Sequence, residues 1–213
     1  RLESTPAKAV AGTRVLSGAT LALDSVSTAE RLTLNGPGAS GQLGALAAAV
    51  GASTVTGDIT AETVAGGGFA IGVGLGASLQ IGAAPNDGSG DIDTQTSSLI
   101  LHSEGDATLH GVISGTGALV KEQAATLTLD GDSTYAGLTV VNGGTLLANG
   151  DTSAATGAVT VNDGATLGGT GIIGGAVTAA GGAIVSPGSP ATEPGRLATG
   201  SLAFAPASHF HVQ

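Results

Sequence analysis

The sequence predicts an all-β fold, a solenoid of stacked parallel strands. Three observations lead there. From Gly115 to Leu146 the chain reads GTGALVKEQAATLTLDGDSTYAGLTVVNGGTL, short alternating Thr/Leu/Val runs set between glycines that leave no room for a helix. Apolar strand centres at Leu127, Leu146, Leu167, Ile184 and Leu202 recur at roughly 17 to 21 residues, the length of one solenoid turn. Glycine supplies 38 of the 213 residues whereas Phe, Tyr and Trp together supply four, so the core must be a narrow tube of Ala, Val, Leu and Ile. At about 20 residues per rung and about 4.8 Å between rungs, the chain would make about ten rungs in a rod near 50 Å long. We read residues 1–213 as a single β-helical fragment of a longer protein.

The elements follow in order. Gly18-Ala19-Thr20-Leu21-Ala22-Leu23 opens with a glycine and continues as a period-2 strand, and Gly76 to Ile81 and Gly164 to Leu167 repeat the pattern. Residues 43–50, LGALAAAV, would also make a helical stripe through Leu43, Leu46, Ala47 and Val50. Glycines at 41, 44 and 51 and a length of eight residues favour a strand. Two longer loops interrupt the rhythm, Ala83 to Gln95, with Asp87, Asp91 and Asp93, and the proline-rich Ser186 to Gly195. On a solenoid such insertions are where binding surfaces are mounted.

Sixteen acidic residues against six basic ones give a net charge of −10, with no Lys or Arg between Arg31 and Lys121. That balance excludes nucleic acid and anionic lipid surfaces as expected partners. Without cysteine there is no disulfide and no thiolate chemistry. No run of 18 apolar residues occurs. The N-terminus, Arg1-Leu2-Glu3, carries neither Met nor a signal-like segment, as expected of an excised piece.

Motifs with chemical meaning are few. Gly169, Gly171 and Gly174 satisfy G-x-G-x-x-G, but Gly175-Ala176-Val177-Thr178 continue as a strand where a dinucleotide site needs a helix N-terminus. The carboxylates of Asp87, Asp91 and Asp93 suit Ca²⁺ by type. They miss the register of calcium-binding β-helix repeats, and Ile92 falls where a ligand belongs, so a solvated acidic turn is expected. His209 and His211 leave one face of a strand without a third ligand nearby. No nucleophile elbow exists for a serine triad, and His102 and His110 have no Ser partner in sequence. A glycan-cleaving β-helix would need carboxylates converging with an arginine base, whereas Arg14, Arg31 and Arg196 lie far from the 87–93 loop. We therefore expect no catalytic residues, no cofactor, no metal and no enzymatic activity.

The segment from Gly115 to Leu146 resembles the passenger-associated transport repeat of bacterial autotransporters. That pattern runs as a G-x-G-x-L-x-K strand, a T-L-x-L strand and then Y-x-G-x-T-x-V-x-x-G-x-L. The matching residues are Gly115, Gly117, Leu119, Lys121, Thr126, Leu127, Leu129, Gly131, Tyr135, Gly137, Thr139, Val141, Gly144 and Leu146. The match departs at 122–125, where family members usually place glycines. Residues 167–190 are similar to the rungs that follow the repeat, and the resemblance is most specific over 109–190. It implies a right-handed parallel β-helix from the C-terminal part of a secreted or surface-displayed passenger, acting as folding template and stalk in type V secretion. Its partners would be its own outer-membrane β-barrel translocator and the adjacent passenger rungs, and its location the cell surface or the exterior. An adhesin surface binding a host protein or glycan is the alternative reading, and a glycan-acting enzyme the second.

Overall fold

The computed structural model describes residues 12–63, 67–189 and 193–212. Arg1-Leu2-Glu3 and residues 190–192 of the proline-rich segment lie outside the described residues. The rest is a right-handed parallel β-helix. Each coil passes through three faces in turn, and apart from Glu193–Pro194, which pairs antiparallel with the end of Ile184–Ser189, the strands pair in parallel with their counterparts one coil away.

Nine coils are described, against the ten or so expected. Their second-face strands are Leu21–Asp24, Leu46–Val50, Gly68–Val73, Ser98–Ser103, Leu119–Glu122, Thr139–Val141, Val159–Val161, Val177–Ala179 and Leu202–Phe204, numbered here as coils 1 to 9. The register explains the lower number. Leu99, Leu119, Thr139 and Val159 align at 20-residue steps. By contrast Leu21 and Leu46 are 25 apart, and Phe69 and Leu99 are 30 apart. The extra residues sit in loops after Leu34 and after Ile81 that leave the strand pairing intact. The ambiguous 43–50 stretch contains the strand Leu46–Val50, and no helix occurs among the described residues.

Period-2 alternation puts one side chain of each pair inside. On the third face Ala107, Leu127, Leu146, Leu167, Val185 and Phe210 stack in register, the first five buried. Two expected centres move. Ile184 pairs with Thr166, and Val185 takes the inward place. Leu202 belongs to the second face, opposite Val177, because the segment from Ser186 to Gly195 lengthens that coil. A second inward column runs Leu21, Leu46, Ile71, Leu101, Lys121, Val141, Val161, Ala179 and Phe204, one residue per coil. Eight of its members are hydrophobic and the fifth is a lysine.

Glycines make close stacking possible at two corners. A Cβ on Gly117, Gly137, Gly157 or Gly175 would lie 1.8 to 2.1 Å from a carbonyl oxygen of the preceding coil. Gly111, Gly131, Gly150 and Gly171 form a second such column at 2.1 to 2.3 Å. No side chain fits at those distances, so each corner backbone rests directly on the one below.

Candidate functional site in coils 5 and 6

The repeat residues predicted from sequence converge where coil 5 meets coil 6. Leu119, Leu127, Leu129, Val141 and Leu146 are buried inside the tube. Gly117 and Gly137 belong to one glycine column, and Gly115 and Gly144 adopt φ of 101° and 63°. In coil 6 the first face has no strand, and Tyr135 turns inward there at 5 % exposure. Its hydroxyl lies 2.7 Å from Oγ1 of buried Thr139, and burial pushes the phenol pKa up. Leu129, Leu146, Ala155 and Ile173 help wall a cavity of about 20 Å³ beside this pair.

Lys121 is the residue whose role the sequence concealed. It has no solvent exposure and lies between Leu101 below and Val141 above. Its ammonium donates to three backbone carbonyls, Glu122 O at 2.9 Å, Gln123 O at 2.8 Å and Gly143 O at 3.2 Å, so each of its N–H groups has an acceptor. Desolvation pulls its pKa down to about 8, and the Asp106 carboxylate acts in the opposite direction. The same corner lacks the glycines usual in the repeat, and Gln123 takes the left-handed conformation itself at φ 67°. The ammonium holds the carbonyls on both sides of that strained residue.

Outside the tube, His102 Nδ1 lies 3.0 Å from Glu122 Oε2, and His110 Nδ1 lies 3.0 Å from Asp130 Oδ2. Each pair spans one 20-residue coil, a spacing that a search for nearby partners overlooks. Asn142 and Asn162 bond at 2.6 Å on the column that continues from Glu122.

The other motifs stay apart. Asp87 accepts from Ser89 and from Ala84 N, and the Ser89 bonds hold its carboxyl below the usual range. Asp91 accepts from Val112 N, and Asp93 from Gln95. Asp87 and Asp93 thus serve two local turns, and Asp91 ties its loop to the next coil. Gly171 and Gly174 lead into the strands Ile172–Ile173 and Val177–Ala179. His209 and His211 are exposed in coil 9. No group of three or more His, Asp or Glu is placed to hold a metal ion among the described residues.

The fold and this junction define a parallel β-helical solenoid whose densest sequence signature lies in one pair of coils. Residues 119–148 match the family model described as the passenger-associated-transport repeat, 30 of the 213 residues. The chain therefore carries the repeat of autotransporter passengers. No curated protein and no solved structure matches it.

Proposed function

We propose that this chain is a C-terminal β-helical stretch of a secreted or surface-displayed passenger and serves as its folding template and stalk. The observation that carries the reading is the coincidence of the transport repeat with the most regular stacking, coils 4 to 7 at uniform 20-residue steps. A coil already in place offers its successor a full parallel edge, two glycine columns that fix height and register, and a continuous aliphatic column. Such nearest-neighbour stacking lets folding propagate rung by rung and needs no ATP if folding outside prevents back-sliding. The expected partners are the chain's own barrel translocator and neighbouring rungs, and the expected location is the cell surface or beyond. A chain threaded unfolded through a pore also benefits from having no cysteine to cross-link early.

One observation favours an adhesin as the second reading. Ile100, Val120 and Val140 stack on the outer side of the second face, and Leu138 in the same coil as Val140 is 52 % exposed. This gives an uncharged strip on an otherwise acidic protein. We assign no enzymatic role, since the carboxylates of the 87–93 loop are engaged separately, two in local turns and Asp91 with Val112 N of the next coil.

Surface display of the full-length protein separates the readings. Tyr135→Ala removes the packed aromatic. Gly144→Val forces a β-branched residue into φ 63° with its Cβ 2.4 Å from Ala125 O. Under the template reading both reduce the protease-resistant passenger at the surface, while ligand binding per displayed molecule is unchanged. Normal display with binding lost would replace this reading with the adhesin.

A further inference from the structure

Lys121 gives the stack a direction. A cation can be sealed inside an aliphatic column only if every N–H keeps an acceptor, because a buried charged donor left without one is far costlier than a neutral group. Two of the three acceptors, Glu122 O and Gln123 O, come from Lys121's own corner. The third, Gly143 O, belongs to coil 6. Coil 4 supplies none of the acceptors to this ammonium; on that side the inward column sets Leu101 beside Lys121. The two sides of coil 5 are therefore unequal, one completing the cage and the other closing it off from water.

We propose that Lys121 orders assembly, so that coil 5 must dock on coil 6 before coil 4 can dock on coil 5. With coil 6 in place the ammonium is fully bonded when Leu101 covers it. In the reverse order Leu101 strips water from an N–H that has no acceptor. Until coil 6 arrives, the lysine keeps one edge of coil 5 charged and hydrated, which disfavours premature strand pairing there. The proposal rests on the template reading above and gives the rung-by-rung propagation a direction, from C-terminal coils toward N-terminal ones, with a side-chain cause. The charged groups around the ammonium are Asp106, the outward His102–Glu122 pair and the exposed Glu104 at the coil 4 corner. None of them donates an acceptor to Nζ.

The test is refolding of the 213-residue chain from denaturant, followed by a hydrogen-exchange labelling pulse at one fixed pH and peptide-level mass spectrometry. At pH 7 the amides of coils 6 and 7 should gain protection ahead of those of coils 3 and 4. The expected lag is about tenfold in time, the weight of one charge-assisted hydrogen bond. Lys121→Met keeps the aliphatic stem without the charge and should shrink the lag to within about twofold. The unsubstituted chain refolded at pH 9.5, closer to the uncovered lysine's ordinary 10.5 and above its buried value of about 8, should show a lag shorter than at pH 7, however well the variant folds. Coils 3 and 4 gaining protection first, or an unchanged lag in Lys121→Met or at pH 9.5, would overturn the proposal. Because the readout involves no secretion, its failure leaves the display result standing, and the converse holds.

Discussion

Replacing Lys121 with methionine should change how the stability of this protein responds to pH. The folded state lowers the ammonium pKa from its ordinary 10.5 to about 8, chiefly through desolvation. Folding thus disfavours the charged form, and between the two values the unfolded chain binds the proton that the folded chain has released. Stability contributed by this group therefore rises with pH across that window and is lowest below pH 8. At about 1.36 kcal/mol per pKa unit, burying the charge costs about 3 kcal/mol at pH 7 and about 1 kcal/mol at pH 9.5. The relief of about 2 kcal/mol corresponds to roughly 4 to 8 °C in Tm for a chain of this size. Lys121→Met cannot titrate there, and it shares every other ionisable group with the parent, including Tyr135, whose raised pKa acts on both chains alike. Thermal unfolding by circular dichroism at half-unit steps from pH 7 to 9.5 would show Tm of the parent rising relative to the variant. Parallel profiles would mean that the ammonium is solvated or that its carbonyl cage fully offsets desolvation, and the reasoning would fail.

Two further outcomes follow from the core. Leu127→Asp places a carboxylate in the dry third-face column between Ala107 and Leu146 and should cost several kcal/mol, in the range of the largest single-site effects; unchanged thermal stability would show that Leu127 points outward. Tyr135→Phe keeps the packing but loses the 2.7 Å bond to Thr139, so denaturant unfolding should report a loss of about 1 kcal/mol, and no loss would mean that Thr139 finds another partner.

Most of the architecture was legible because a strand's two-residue period and a coil's length both show in sequence. Leu127, Leu146 and Leu167 were placed correctly by those rules alone. Ile184 was not, since it lies opposite Thr166 while Val185 lies opposite Leu167, and two adjacent aliphatics leave the parity of the strand open. Coil length was uniform only where no loop intervened; the loop after Ile81 showed in the sequence as the Ala83 to Gln95 insertion, whereas the one after Leu34 lengthens its coil without any mark in the strand pattern. Lys121 could have been read as buried from its parity with Leu119, two residues earlier, but a charge on the inward face runs against the hydrophobic pattern that identifies inward faces. The three carbonyls that make it tolerable are backbone atoms and leave no trace in residue identity. His102 with Glu122 and His110 with Asp130 were visible in principle, each pair being one coil apart.

The two glycine columns turn the protein into something that can be edited by length. Because each corner rests on bare backbone, the fit between coils depends on keeping the spacing and hardly at all on which coil lies beneath. Copying or deleting 20 residues between equivalent second-face positions, such as Leu99, Leu119, Thr139 and Val159, returns the glycines to their carbonyls and the inward side chains to their columns. On the third face the steps from Ala107 through Leu127 and Leu146 to Leu167 vary, and a cut must follow the pairing instead. A single added residue inside a strand turns all later side chains of that strand to the opposite face. Tandem duplication of whole coils is thus an easy route by which such a rod grows, and under the stalk reading proposed above its reach becomes a quantity set by recombination in steps of about 4.8 Å.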